Sequence, residues 1–323
     1  MKFGIENFGE ITREKIEAAL ELIRPDIPPT RCEIVPDFSP LGEVWAKWEN
    51  ENPTGAFKVR GGLVYFDWLK SAHPEIKTIV TATRGNHGQS VAFAARKAGI
   101  HARIIVPSGN SISKNEAMKQ LGADLIEHGR DFSDALDFAR AEAAADPACH
   151  FVPSFDWKLV LGVSTYGYEL FETVPDLDVV FVPIGLGSGI CGTIAARNAL
   201  GCQAKIVGVV AEEAPTYADS FAAGRIVEGQ KIPRTIADGV ACRVPHPDAF
   251  EVIREHVDRI LVIPEPAIEA TVRRVLRKTG QRIEGAAALS FAALSGWMQP
   301  NQKAAVIVSG GNIDDEIFDR VAR

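Results

Sequence analysis

Apolar and polar positions along the chain alternate between two periods. Short apolar, β-branched runs read as buried strands at 77–82 (Lys-Thr-Ile-Val-Thr-Ala), 102–107, 179–183 (Val-Val-Phe-Val-Pro), 206–210 and 304–309 (Ala-Ala-Val-Ile-Val-Ser). Stretches with helical spacing lie between them at 89–98, 114–121, 132–145 and 190–200. Strands and helices in this repeating order predict an α/β fold, a mostly parallel sheet covered by helices on both faces. Neither an internal repeat nor a low-complexity linker interrupts the pattern.

Three of these runs end directly in glycine-bearing turns: Thr83-Arg84-Gly85-Asn86-His87-Gly88, Gly185-Leu186-Gly187-Ser188-Gly189 and Ser309-Gly310-Gly311-Asn312. Ligands of open parallel sheets collect outside the carboxyl ends of the strands, where such turns sit. Three in one chain point to one composite site. In the second, glycines let the backbone approach an anion and the following helix start offers free N–H groups, so a phosphate fits there without a lysine or arginine. Two other readings compete. Counted from Gly187, with Gly189 and Gly192, the turn matches the dinucleotide fingerprint, and Glu212 follows at about the right distance. It also reads as a tight turn packed for its own sake.

Composition narrows the classes. The 323 residues are 46% hydrophobic and 24% charged with a formal charge of -7, an ordinary globular enzyme with no basic stripe for nucleic acid or membrane. Five cysteines (Cys32, Cys149, Cys191, Cys202, Cys242) are scattered without a C-x-x-C pair, which reads as reduced thiols. The acidic N-terminus does not resemble a signal peptide and no apolar run is long enough to span a bilayer, so a cytoplasmic protein is expected.

The most informative segment is Pro53-Thr54-Gly55-Ala56-Phe57-Lys58-Val59-Arg60-Gly61. Pro-Thr-Gly makes a turn, and a helix is expected to begin near Val59. A cation at a helix start is unfavourable. It makes sense there as a solvated surface lysine, or as a desolvated amine used to form an imine.

Taken in order, P-T-G-A-F-K-x-R-G, R-G-N-H-G-Q, G-L-G-S-G and S-G-G-N resemble the motifs of fold-type II pyridoxal-phosphate enzymes, above all threonine/serine dehydratases and serine racemases. The resemblance runs from about Arg31 onward and speaks against a dinucleotide enzyme. It implies a two-domain, tryptophan-synthase-β-like fold, with a large cofactor domain of residues 1–69 and 156–323 and a small inserted domain of residues 70–155.

It also implies roles. Lys58 would hold pyridoxal 5'-phosphate as a Schiff base and later remove the α-proton, and Phe57 would flank the ring. Asn86 would bond the ring's phenolic oxygen, Gly185, Leu186, Gly187, Ser188 and Gly189 would hold the phosphate, and Ser309 would face the pyridine nitrogen. Thr83, Arg84, Gly85, Asn86 and His87 would take the substrate carboxylate. Ser154 and Glu284 would border the site. A hydroxyl opposite the ring nitrogen makes a weak electron sink, which favours β-elimination over transamination.

Two departures matter. Ala56 stands where the family commonly has serine. Arg84 stands where serine racemases carry the serine that acts on the opposite face, and an arginine cannot be that base. Arg84 either points outward or binds a second substrate carboxylate. Glu213 and Asp219 repeat a metal-binding spacing of serine-racemase-like relatives and read here as a solvated acidic loop, so no metal is expected. The expected reaction is loss of water from a β-hydroxy amino acid such as L-threonine or L-serine, giving a 2-oxo acid and ammonia. The alternatives are a dicarboxylic or bulkier β-hydroxy amino acid such as 3-hydroxyaspartate, or a non-catalytic cofactor binder. The expected assembly is a homodimer.

Overall fold

The computed structural model describes residues 7–323. Its strands are β1 (Cys32–Ile34), β2 (Gly42–Trp48), β3 (Thr78–Ala82), β4 (His101–Val106), β5 (Asp124–Glu127), β6 (Cys149–Phe151), β7 (Val179–Pro183), β8 (Lys205–Ala211), β9 (Arg259–Ile263) and β10 (Gln302–Val308). They form a six-stranded sheet in the order β1-β2-β10-β7-β8-β9 and a four-stranded sheet in the order β5-β4-β3-β6. Only β1 runs antiparallel to its neighbour. The expected α/β architecture of mostly parallel, helix-covered sheets is therefore present.

All five expected strands form, and the four expected helices are Asn86–Ala98, Ile112–Gln120, Phe132–Ala145 and Ser188–Ala199. Three of these begin two or three residues before the apolar period does. Their starts are set by turns and caps, such as Ser111 accepting from the Lys114 N–H at 3.3 Å, and not by packing. Strand β2 escapes the apolar pattern because it contains Lys47, which looks like an exposed position yet is 1% exposed.

Alternate residues of the six-stranded sheet feed two cores. Val180, Val182, Ile206 and Ile307 pack under the helices Trp157–Thr173, Ser188–Ala199 and Pro247–His256. Val179, Phe181, Val207 and Val306 pack under Glu265–Thr279 and Gly285–Ala292. Burial on both faces is why these strands read as continuous apolar runs.

The order β2-β10-β7 places three parallel carboxyl ends side by side. Val308 pairs with Trp48 in β2, and Val306 pairs with Phe181 in β7. The chain leaving β2 leads to Lys58, β10 runs into Ser309, and β7 runs into Gly185. Segments distant in sequence meet because their strands are neighbours. The Ala56 and Gly310 turns then join in an antiparallel bridge, with the Phe57 N–H donating to the Ser309 carbonyl at 3.1 Å and the Gly311 N–H to the Gly55 carbonyl at 2.9 Å.

The helix Lys58–Ala72 is fixed by a buried ionic cluster two residues past its start. Arg60, fully buried, bonds Glu49 through Nε at 2.7 Å and Glu169 through a terminal nitrogen at 2.9 Å. Lys47 reaches the same Glu169 oxygen at 2.6 Å, and Thr30 donates to Glu49 at 2.6 Å. Two acids and two bases from four segments thus neutralise one another away from water. Removing one partner leaves the rest uncompensated. Arg60→Met should lower unfolding free energy in urea by about 3–5 kcal/mol. A loss under about 0.5 kcal/mol, the range of ordinary surface changes, would show that the cluster does not anchor this helix.

Candidate active site

Lys58 is the first residue of its helix, one earlier than the sequence pattern places it. Its side chain stays partly accessible, as an amine that must meet a carbonyl has to, but the ammonium end is enclosed. Nζ lies 3.3 Å from Ser188 Oγ and 5.1 Å from the centre of the Phe57 ring. Desolvation draws its pKa down to about 8, against the pull of Glu284, so a substantial share is neutral near physiological pH.

The Gly185–Gly189 turn lies beside it at the start of the helix Ser188–Ala199, whose first N–H groups have no intrahelical acceptors. Each glycine has its own reason. A Cβ on Gly185 would run into the Gly239 carbonyl, and one on Gly189 would come 3.3 Å from the Phe57 ring. Gly187 has φ +111°, and its Cβ would meet Ala249 Cβ at 2.5 Å. That side faces the protein, so Gly187 is demanded by the turn's own conformation, not only by room for an anion. Tyr217 donates to the Leu186 carbonyl at 2.9 Å and Tyr166 to the Gly189 carbonyl at 2.7 Å, fixing the turn from behind.

The turn after β3 is tied by Thr83, whose Oγ1 accepts from the N–H groups of Gly85 and Gly88 at 3.1 Å each. The His87 imidazole is buried against Thr81 Oγ1 at 3.1 Å. Burial holds it neutral, with a pKa drawn down to about 3. His87 therefore offers the turn its backbone N–H rather than its ring. Arg84 is exposed and makes no ion pair among the described residues. The Asn86 amide donates to both Glu284 oxygens, at 3.1 and 2.9 Å, and accepts from Asn312 Nδ2 at 2.8 Å. Ser309 is 3% exposed, and its Oγ has no hydrogen-bond partner.

Two residues outside the four motifs complete the site. Lys114, 5% exposed in the first turn of Ile112–Gln120, lies with Cδ 2.9 Å from where a Gly85 Cβ would be, and pairs with Asp238. The signal that singles out Lys58, a lysine at a helix start, holds for Lys114 as well. Burial, reinforced by Asp238, raises the Glu284 pKa to about 7 against the opposing influence of Lys114, Asn86 and Lys58. Ser154 sits half-buried in the bend after β6. Glu213 lies in the turn after β8 and Asp219 on the helix Thr216–Ala223. Among the described residues no three His, Cys, Asp or Glu side chains gather as a metal site.

These residues fit pyridoxal phosphate. An enclosed lysine of lowered pKa, a buried serine hydroxyl without a partner and a glycine turn at a helix start are the donors that the amine-reactive carbonyl, the ring nitrogen and the phosphate require.

Comparison with known proteins agrees. The family described as pyridoxal-phosphate dependent enzyme matches residues 23–310. The L-threonine ammonia-lyase of Thermotoga maritima is 34% identical over 283 residues, 87% of this chain and 70% of the relative. The catabolic L-threonine dehydratase TdcB of Escherichia coli K12 is 33% identical over 84% of each chain. The structure of maize serine racemase superposes with a TM-score of 0.88 at 27% identity, over 96% of each chain. A match of that extent, on a chain whose glycine turns and enclosed Lys58 already converge, makes this protein a member of the pyridoxal-phosphate-dependent enzyme family.

Proposed function

We propose that this protein is an ammonia-lyase that removes water from a β-hydroxy amino acid, L-threonine or L-serine, to release a 2-oxo acid and ammonia. The observation that carries this reading is the pairing of one enclosed amine of lowered pKa, Lys58, with a buried serine hydroxyl, Ser309, that has no hydrogen-bond partner of its own. The threonine ammonia-lyase and threonine dehydratase names of the relatives support it. The cofactor, when bound, supplies the electron sink that makes the α-proton of an amino acid acidic.

The chain's own residues do the rest. Lys58 would take the α-proton, Ser309 would face the ring nitrogen without a charge, and the N–H groups of 185–189 would hold the phosphate. The N–H groups of the Thr83–His87 turn take the substrate carboxylate. A hydroxyl rather than a carboxylate at Ser309 would leave the bound cofactor a weak electron sink, which suits early loss of the β-hydroxyl. An arginine at position 84 offers no base for the opposite face, which argues against racemisation. Its exposed, unpaired guanidinium also supports a second reading, a substrate with a distal carboxylate.

The assembly we propose is a cytoplasmic homodimer, with residues 70–155 as the smaller domain and residues 1–69 and 156–323 as the larger. The four-stranded sheet falls within the first range. No helix among the described residues is long and apolar enough to cross a membrane.

Purified protein should release 2-oxobutyrate from L-threonine or pyruvate from L-serine without forming the D-isomer. Substantial racemase activity would contradict the role given to Arg84. Arg84→Ser should cost 3-hydroxyaspartate about 1.5–3 kcal/mol in kcat/KM if Arg84 grips a second carboxylate, with threonine spared. Equal change for both substrates would reject that grip.

Lys58 must be neutral to take up the cofactor. Its lowered pKa raises the neutral fraction at a given pH, so uptake by the apoenzyme should climb with pH and level off above about 8. A rate still rising at pH 10 would mean an ordinary, solvated lysine.

A further inference from the structure

Glu284 is 2% exposed and caps the start of the Gly285–Ala292 helix. Its own N–H donates to the Gly310 carbonyl at 3.0 Å, and a Cβ on Gly310 would lie 2.8 Å from Glu284 Oε1. The carboxyl is therefore wedged against the turn that carries Ser309. What it grips is the Asn86 amide, through Nδ2 at 2.9 and 3.1 Å. The other end of that amide accepts from Asn312 Nδ2, which also donates to the Thr54 carbonyl at 2.8 Å.

The two partners together choose one orientation. Turning the amide over would set its oxygen against the carboxylate and its NH2 against the NH2 of Asn312. An ionised Glu284 enforces this, whereas a protonated one has a hydroxyl to donate and enforces it less. The charged groups facing Glu284 are Lys58 from its helix, Lys114 from Ile112–Gln120 and Asp238 from the turn Asp238–Val240. The first two favour the ionised form, and Asp238 with burial opposes it.

We propose that Glu284 is a positioning residue of the cofactor site and acts through Asn86, holding its amide in the one orientation that fixes what Asn86 presents to the ring hydroxyl of the cofactor. This rests on the proposed pyridoxal-phosphate function and on the bond to the phenolic oxygen that the resemblance implies for Asn86. Glu284 need not touch the substrate at all.

The test uses full-length holoenzyme and four variants: Asn86→Ala, Glu284→Ala, the double variant and Glu284→Gln. Cofactor dissociation and the pH dependence of the bound-cofactor absorption are measured, with thermal melting to follow folding. Glu284→Ala should weaken cofactor retention about tenfold, the worth of one well-placed hydrogen bond. The double variant should then lose no more than Asn86→Ala alone, because the second residue acts through the first. Independent losses that multiply to about a hundredfold would overturn the proposal, as would a silent Asn86→Ala beside a damaging Glu284→Ala.

Glu284→Gln keeps an acceptor of the same shape and does not titrate. It should hold the cofactor but lack the change in absorption expected of the parent around pH 7. Parent-like pH behaviour in this variant would also overturn the proposal, and this arm stands even if Glu284→Ala fails to fold. None of these readouts is turnover. A protein with this coupling intact that releases no 2-oxo acid would contradict the dehydratase reading and leave the role of Glu284 supported.

Discussion

The enclosure of the Lys58 amine, at the first position of a helix and against that helix's own dipole, is the constraint from which the rest of the site follows. An amine cannot be kept partly desolvated by one segment alone. Here Phe57 and Ser188 lie against it, and the Ser309 turn, some 250 residues on, holds the Phe57 backbone in place. They meet because β2, β10 and β7 are adjacent and end on one edge. Close approach then dictates small residues. Gly55, at φ +68°, leaves 2.5 Å between its missing Cβ and Asn312 Oδ1. Ala56 is fully buried against Gly310.

Charge is arranged to serve that enclosure. The Arg60, Glu49, Glu169 and Lys47 cluster neutralises itself behind the helix and stiffens its attachment without lending Lys58 a directly bonded carboxylate. A carboxylate bonded to Lys58 would hold it protonated and spoil it as a nucleophile and base. The acid nearest in influence, Glu284, is instead spent on Asn86, and burial lifts its pKa to about 7. Lys114, the other buried cation of the cleft, has its charge matched by Asp238. His87 is neutral. The exposed Arg84 is the cation of the Thr83–His87 turn with no counter-ion among the described residues.

Much of this was legible in the sequence. Strands buried on both faces leave long apolar runs, and each strand–turn–helix junction of the site announces itself by glycine, so the sheet, the three turns and Lys58 could be read directly. What could not be read depends on tertiary pairing. Lys47 looks exposed in sequence and is buried because Glu169, 122 positions away, meets it. Lys114 and Asp238 belong to no turn motif and become part of the site only where the Lys114 ammonium pairs with Asp238. Gly187 was legible as a required glycine, but the reason, a left-handed backbone backed by Ala249, was not. The register of the Asn86 amide, set jointly by Glu284 and Asn312, is likewise a product of the fold.

The central claim, that Lys58 is the amine around which the molecule is built, is tested most directly by borohydride. Reduction of the yellow holoenzyme should abolish its visible absorption and leave the cofactor covalently fixed, with peptide mapping placing the label on Lys58 alone. A label on Lys114 or on surface lysines, or a protein that stays colourless in excess pyridoxal phosphate, would contradict the account.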